Sequence, residues 1–140
     1  MFKTILVALD SSELSERVVR SLDEFQIQPD THVILAHVIP PAEPGLEKPA
    51  DQPQVEPEIS YQKIENQLQL FQVSLAYRSV REIVSGDPAE EIVRLANIYH
   101  ADLIILGSRG LTGMERILQG SVSSQVAADA PCSVLVIKPS

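Results

Sequence analysis

The chain has a single cysteine, Cys132, among its 140 residues. One cysteine excludes an internal disulfide bond, which is the pattern expected of a protein in a reducing compartment. Long apolar runs are missing too: no stretch approaches the roughly 20 residues that cross a bilayer, and no signal-peptide pattern precedes the first apolar segment. We therefore expect a cytoplasmic protein with no membrane partner.

Basic residues are scarce, with 11 Lys and Arg against 19 Asp and Glu and a formal net charge of −8. A nucleic-acid-binding domain normally presents a basic face or stripe, and the sequence has none, so we expect no nucleic-acid partner. The same acidic balance opposes an anionic ligand. Local backbone donors, aided by Arg109 and Arg116, would have to overcome it.

Several enzyme signatures are absent. The sequence has no Gly-x4-Gly-Lys-(Ser/Thr) loop, no Gly-x-Gly-x-x-Gly after its first strand, no Gly-x-Ser-x-Gly elbow and no zinc-ligand spacing. His32, His37 and His100 do not cluster, and Cys132 lacks the basic and His neighbours of a reactive thiol. We assign no catalytic residue and no metal ligand.

What the sequence does contain is a strand–helix alternation in one domain, residues 1–140. Strands are predicted at residues 3–9, 32–39, 79–85, 102–106 and 132–138. Four of them are apolar on both faces, which is typical of a parallel sheet covered by helices on each side. The third contains Arg81 and Glu82 and is predicted to lie at an edge.

Four helices are predicted between these strands. They cover residues 13–26, residues 59–75, a segment that begins at Asp87-Pro88, and residues 121–129, with a short helical turn at residues 114–118. Asp87 is predicted to cap the third helix, with Pro88 in its first position and Glu90 where a capping-box acid belongs. Residues 40–58 hold six of the ten prolines and are predicted to form a mobile loop.

The most informative motif follows the fourth strand. Gly107-Ser108-Arg109-Gly110 comes directly after the apolar run, and Gly120-Ser121 opens the fourth helix. Glycines let the backbone approach a ligand closely, and the N–H groups that open a helix are unpaired donors in a positive field. This combination favours phosphate binding.

The spacing Gly-x2-Gly-x9-Gly-Ser resembles the nucleotide-binding signature of the universal stress protein family, in its ATP-binding branch. Residues 3–10, His37-Val38 and residues 131–137 are similar to that family's opening, second and closing strands. The resemblance implies a single-domain, doubly wound α/β fold of the adenine nucleotide alpha hydrolase type, with five parallel strands in the order 3-2-1-4-5. Asp10 and Gly107 would then flank the reversal of strand order, where such sheets bind ligands.

The resemblance also implies a role for each residue of the site. Asp10 would accept a hydrogen bond from the base or the ribose. Val38 would line the adenine pocket, and Ala8 and Leu9 would form the adjacent wall. The N–H groups around Gly110 and at Gly120, Ser121 and Val122 would hold phosphate oxygens, with the Ser121 hydroxyl as a further donor. Ser108 and Arg109 lie inside the loop, and Arg109 would contact phosphate or ribose.

Each of these residues also has a purely structural interpretation. Gly107 and Gly110 could simply make a turn, Gly120 could mark a helix boundary, Asp10 could cap a helix and Val38 could be core. The joint match of three glycines and a serine favours nucleotide binding.

The function implied by the resemblance is an ATP-binding stress-response protein, with Mg²⁺ as counterion, that forms a homodimer through residues 132–138. One alternative is a slow ATPase or an autophosphorylating protein. Another is an interaction module that binds no nucleotide. The sequence does not distinguish ATP from ADP, AMP or a cyclic nucleotide, and it does not identify the stress signal or a downstream protein partner.

Overall fold

The computed structural model describes residues 2–10, 14–25, 27–39, 57–75, 78–108 and 121–138. Within these ranges five parallel strands form one sheet in the order β3-β2-β1-β4-β5. The strands are β1 Thr4–Ala8, β2 His32–Ile39, β3 Arg78–Ser85, β4 Leu103–Gly107 and β5 Ser133–Ile137. The predicted fold and strand order are therefore confirmed, and the charged third strand lies at an edge as expected.

The helices are α1 Leu14–Arg20, α2 Pro57–Ser74, α3 Pro88–Tyr99 and α4 Ser121–Asp129, and a 3-10 helix, Ser21–Glu24, follows α1. The first helix was predicted to run on to residue 26, which is wrong. The Ser21 hydroxyl donates to the Val18 carbonyl at 2.6 Å, a local bond that competes with the α-helical ladder. The chain tightens into the 3-10 turn there, and Phe25 is extended.

The second helix also differs from its predicted bounds. It starts at Pro57, inside the segment predicted as a loop, because proline is well suited to the first turn of a helix. The remainder of the predicted mobile loop, residues 40–56, lies outside the described residues, as does the predicted turn at residues 114–118. No described helix is long and apolar enough to cross a membrane.

The third helix begins as its sequence predicts. The Asp87 carboxylate accepts the Glu90 N–H at 3.0 Å, and Pro88 occupies the first turn. The helix ends at His100, which is left-handed (φ 52°, ψ 49°) and donates its N–H to the Ala96 carbonyl, as in an ordinary C-terminal cap. Both ends of α3 are thus set by local residues.

Two apolar clusters cover the two faces of the sheet, since side chains alternate along each strand. Leu6 and Ala8 of β1 belong to a cluster with residues of α3 and α4. Ile5 and Val7 belong to a second cluster with residues of α1 and α2. Helices therefore pack on both faces, and the ends of the strands are left as the place for a ligand.

Candidate functional site

The strand order reverses between β1 and β4. From β1 the chain moves outward through β2 to β3, and it then returns to place β4 on the other side of β1. Ala8 of β1 lies beside Leu106 of β4 in the register of the two strands. The residues that follow, Asp10 and Gly107, therefore meet at the carboxyl edge of the sheet, where ligands of such folds bind.

A small recess opens at this point, with an empty volume of about 160 Å³. Its walls are formed by Ala8, Asp10, Leu14, Ser15, Val18 and Gly107. Part of this volume is open solvent, so the described residues enclose no cavity of their own and supply only one section of a wall.

Asp10 is held in place by the first turn of α1. The Ser15 hydroxyl lies 2.5 Å from the main-chain carbonyl oxygen of Asp10 and 3.0 Å from the Asp10 Oδ1. The hydroxyl has one proton and donates it to one of these two acceptors. Ser15 is only 2% exposed, and its hydroxyl therefore limits the orientations open to Asp10. Sequence reasoning missed this residue. Its position in the first turn of the helix that follows Asp10 was the available signal.

His37 contacts the same segment from β2. Its side chain is 7% exposed and lies near the Leu9 backbone and Asp10. Burial lowers the pKa of His37 below its usual value, and the Leu9 backbone and the negative charge of Asp10 oppose that shift. Burial therefore favours the neutral imidazole at this position.

The lowered pKa of His37 predicts a specific pH dependence of stability. In the unfolded chain His37 titrates near 6.5, whereas the folded chain resists its protonation. The unfolded state therefore binds more protons below this pH, and the free energy of unfolding should fall as the pH drops from about 6.5 toward the lower, folded pKa. In His37→Gln this contribution should vanish. Urea unfolding between pH 5 and 8 tests this, and identical slopes in both proteins would contradict it.

Gly107 has a packing reason to be glycine. Its φ is not in the positive region, but a Cβ added there would lie 2.5 Å from Leu14 Cδ2 and 3.0 Å from Leu14 Cγ. The Leu14 side chain of α1 thus occupies the space that a side chain at Gly107 would need. Next to it, the Ser108 N–H donates to the Ile137 carbonyl at 2.8 Å, so this N–H is used by the sheet.

The apolar members of the predicted site fall on both faces of the sheet. Ala8, Val38 and Val122 are buried in one cluster. Leu9 lies in the opposite cluster with Leu14. The structure therefore brings Val38 and Val122 together with Ala8, while Leu9 supports the site from the other face.

Only some of the residues predicted to bind phosphate are among those that the structure describes. Arg109, Gly110 and Gly120 lie outside the described residues, and Ser121 is the first residue of α4. Within the described ranges, no group of three or more His, Cys, Asp or Glu residues is arranged to hold a metal ion. Cys132 is half-buried, and burial, together with the charge of Asp102, raises the pKa of its thiol.

Comparison with known proteins agrees with this architecture. Residues 1–138 match the model of the Universal stress protein family. The chain is 33% identical over 157 residues to Universal stress protein MJ0577 of Methanocaldococcus jannaschii, an alignment that covers 99% of this chain and 96% of the relative. The solved structure of MJ0577 superposes with a TM-score of 0.66 at 31% identity and covers 100% of this chain and 98% of that one.

Two more distant structures share the fold. A universal stress protein in complex with cAMP has a TM-score of 0.68 at 24% identity. The superposition covers 97% of this chain and 96% of the chain in that structure. A universal stress protein family protein from Arabidopsis thaliana, with AMP bound, has a TM-score of 0.67 at 21% identity, covering 99% of this chain and 92% of its own. The match over nearly the whole chain and the common five-stranded fold show that this chain belongs to the universal stress protein family.

Proposed function

We propose that this protein binds one adenine nucleotide per chain, ATP in its physiological form, in the crevice between the ends of β1 and β4. The observation that carries the proposal is that Asp10 and Gly107, the start of the glycine loop, line one recess where the strand order reverses. Two structural neighbours, solved with cAMP and with AMP, support an adenine nucleotide. The Gly-x2-Gly-x9-Gly-Ser spacing supports a ligand that carries phosphate.

The residues of the site would divide between the two ends of the nucleotide. Asp10, held by Ser15, would accept a hydrogen bond from the ribose or the base, and the buried Val38 would lie against the base. The backbone donors of residues 107–122 would hold the phosphates, and Arg109 would offset the negative charge of the phosphates. Mg²⁺ would enter as part of the Mg–ATP complex, since this ion commonly keeps its waters and bonds to phosphate oxygens.

The small molecule that co-purifies with the protein tests this proposal directly. Mass spectrometry of the protein, denatured after gentle purification, should detect an adenine nucleotide in an amount that approaches one per chain. A protein with Asp10→Ala should carry much less. Stoichiometric recovery of a ligand without an adenine ring would contradict the proposal.

Hydrolysis of bound ATP should be slow. The sequence offers neither a P-loop lysine nor an evident general base beside the glycine loop, and efficient phosphoryl transfer depends on such groups. Incubation with Mg–ATP should yield a turnover far below the ~10 s⁻¹ of an average enzyme. Turnover at that rate, measured by phosphate release, would instead favour the ATPase alternative.

We also propose that the protein forms a homodimer through the edge of β5 with which no described strand pairs. The strand pairs with β4 on one side, and Val134, Leu135, Val136 and Ile137 are only partly buried although they are apolar on both faces. An exposed apolar edge of this kind favours pairing with a second chain, and a two-fold axis would let two copies cover each other.

A hydrogen bond connects this edge to the nucleotide site. The Ser108 N–H, at the start of the glycine loop, donates to the Ile137 carbonyl at the end of β5. The Arg17 guanidinium of α1 donates to the next carbonyl of that strand, at Lys138, at 2.9 Å. A nucleotide bound by the loop would thereby act on the dimer strand, which supports a nucleotide-responsive dimer.

Val136→Lys should convert the dimer to a monomer, because the new charge would be placed in the apolar pairing surface. Val80→Lys is the matched control: Val80 lies on the other edge strand, β3, and is likewise partly buried against the same cluster. Light scattering at micromolar concentration should report a dimer for the unmodified protein and for Val80→Lys. A monomeric unmodified protein would refute the dimer.

A further inference from the structure

Helix α1 contacts both the candidate nucleotide site and the strand proposed to form the dimer. Leu14 and Val18 line the recess together with Gly107. Arg17 lies between them in the sequence, and its Nε donates to the Lys138 carbonyl, 2.9 Å away, just beyond the end of β5. Because Leu14 and Arg17 are three residues apart, the two contacts lie within one turn of the same helix.

The first turn of α1 is packed closely against the site. Ser15 is buried, and its hydroxyl contacts both the main-chain carbonyl and the carboxylate of Asp10. Leu14 fills the space beside Gly107, where an added Cβ would lie 2.5 Å from Leu14 Cδ2. Close packing of this kind transmits displacements, so a ligand that shifts Asp10 or Gly107 also acts on this turn.

The carboxyl end of β5 is held by donors from two other parts of the chain. The Ile137 carbonyl accepts the N–H of Ser108, the residue that follows β4, at 2.8 Å. The next carbonyl, that of Lys138, lies one residue beyond the strand and accepts from the Arg17 side chain. The first bond extends the pairing of β4 with β5, whereas the second ties the end of β5 to α1.

We propose that α1 couples nucleotide occupancy to the dimer, with Arg17 as the positioning residue. A nucleotide seated against Asp10 and Gly107 fixes the first turn of α1, and Arg17 then fixes the end of β5 in the extended form that a second copy pairs with. Nucleotide should therefore strengthen the dimer. This inference rests on the proposed function and on the proposed dimer, and it assigns the regulation to one side chain outside the recess.

The dimer dissociation constant, measured by analytical ultracentrifugation with and without saturating Mg–ATP, tests this role. Mg–ATP should strengthen the unmodified dimer at least about fivefold, the lower end of ordinary coupling between sites. Arg17→Met keeps an aliphatic stem but removes the donors, so Mg–ATP should change its dimer less than about twofold. Arg20→Met is the matched control. It removes the same charge from the same helix, but Arg20 pairs with Glu16 at 2.6 Å, so the full response should remain.

The affinity of the dissociated monomer for Mg–ATP separates coupling from binding. Arg17→Met should bind as the unmodified monomer does, since Arg17 does not line the recess. An equal response of the dimer in Arg17→Met and in the unmodified protein would overturn the inference alone. So would an unmodified dimer that binds Mg–ATP without any change in its dissociation constant. An unmodified protein that binds no adenine nucleotide would overturn the proposed function as well.

A measurement on the unmodified protein keeps the test decisive if Arg17→Met does not fold. Nuclear magnetic resonance detects the Nε–H of an arginine held in a hydrogen bond. Saturation with Mg–ATP should shift the Arg17 Nε–H signal, because its bond to the Lys138 carbonyl lies on the proposed connection, while the Arg20 signal stays unchanged. An Arg17 signal that is indifferent to Mg–ATP would contradict the inference.

Discussion

Replacing Gly107 by alanine should destabilise the fold by about 1–3 kcal/mol, the usual cost of overpacking a filled site. The added Cβ would lie 2.5 Å from Leu14 Cδ2 and 3.0 Å from Leu14 Cγ. Leu14 is 8% exposed and packed in the cluster beneath α1, so its side chain must shift within that cluster to admit the methyl group. Urea unfolding measures the loss, and Gly107→Val should lose more.

Truncating the neighbour provides the control for this prediction. Leu14→Ala removes both atoms that the new methyl group would meet, so Gly107→Ala should cost clearly less in that background. The two substitutions would then show a coupling of the size found between residues in contact, roughly 0.5–3 kcal/mol. An equal loss in both backgrounds, or an unchanged urea midpoint for Gly107→Ala, would refute the packing explanation.

Replacing Gly110 by valine should abolish ATP binding without unfolding the protein. Gly110 is the second glycine of the loop pattern, where the backbone is expected to approach the phosphates, and a β-branched side chain would keep it away. We expect affinity for Mg–ATP to fall at least about a hundredfold, or about 2.8 kcal/mol, in calorimetry. The unfolding midpoint should stay close to that of the unmodified protein.

The neighbouring residue provides a matched control for the loop. Leu111 occupies a position that the spacing pattern leaves open, so Leu111→Val introduces the same side chain one residue later and should bind Mg–ATP nearly normally. If Gly110→Val bound as well as the unmodified protein, the glycine loop would have no part in the site. Equal losses in both variants would mean that the pattern does not single out Gly110.

The sequence predicted the sheet well because each strand carries its own signal. Among the strands apolar on both faces, β1, β2 and β4 are buried between two layers of helices, and the charged residues of β3 are accommodated at an edge. The cap of α3 was equally local, since Asp87, Pro88 and Glu90 lie within one turn. The break after Arg20 was not predictable from apolar spacing, because it accompanies the hydroxyl bond of Ser21 to the Val18 carbonyl.

The site was less accessible to sequence reasoning. The position of Asp10 and Gly107 at one edge followed from the strand order, but the contacts around them depend on how helix and strand approach. The sequence spacing predicted that Gly107 contacts a ligand. The structure shows a packing requirement as well, because a Cβ at Gly107 would lie against the Leu14 side chain. The Ser15 hydroxyl lies against a main-chain oxygen outside its own helix, and no spacing rule reveals such a partner.

Calorimetric titration of the purified, nucleotide-free protein with Mg–ATP tests the central claim most directly. We expect saturable binding with one site per chain, and a marked loss of affinity in Asp10→Ala, whose carboxylate lines the recess between β1 and β4. A protein that stays folded and shows no saturable binding of ATP, ADP or AMP at millimolar concentration would contradict the account.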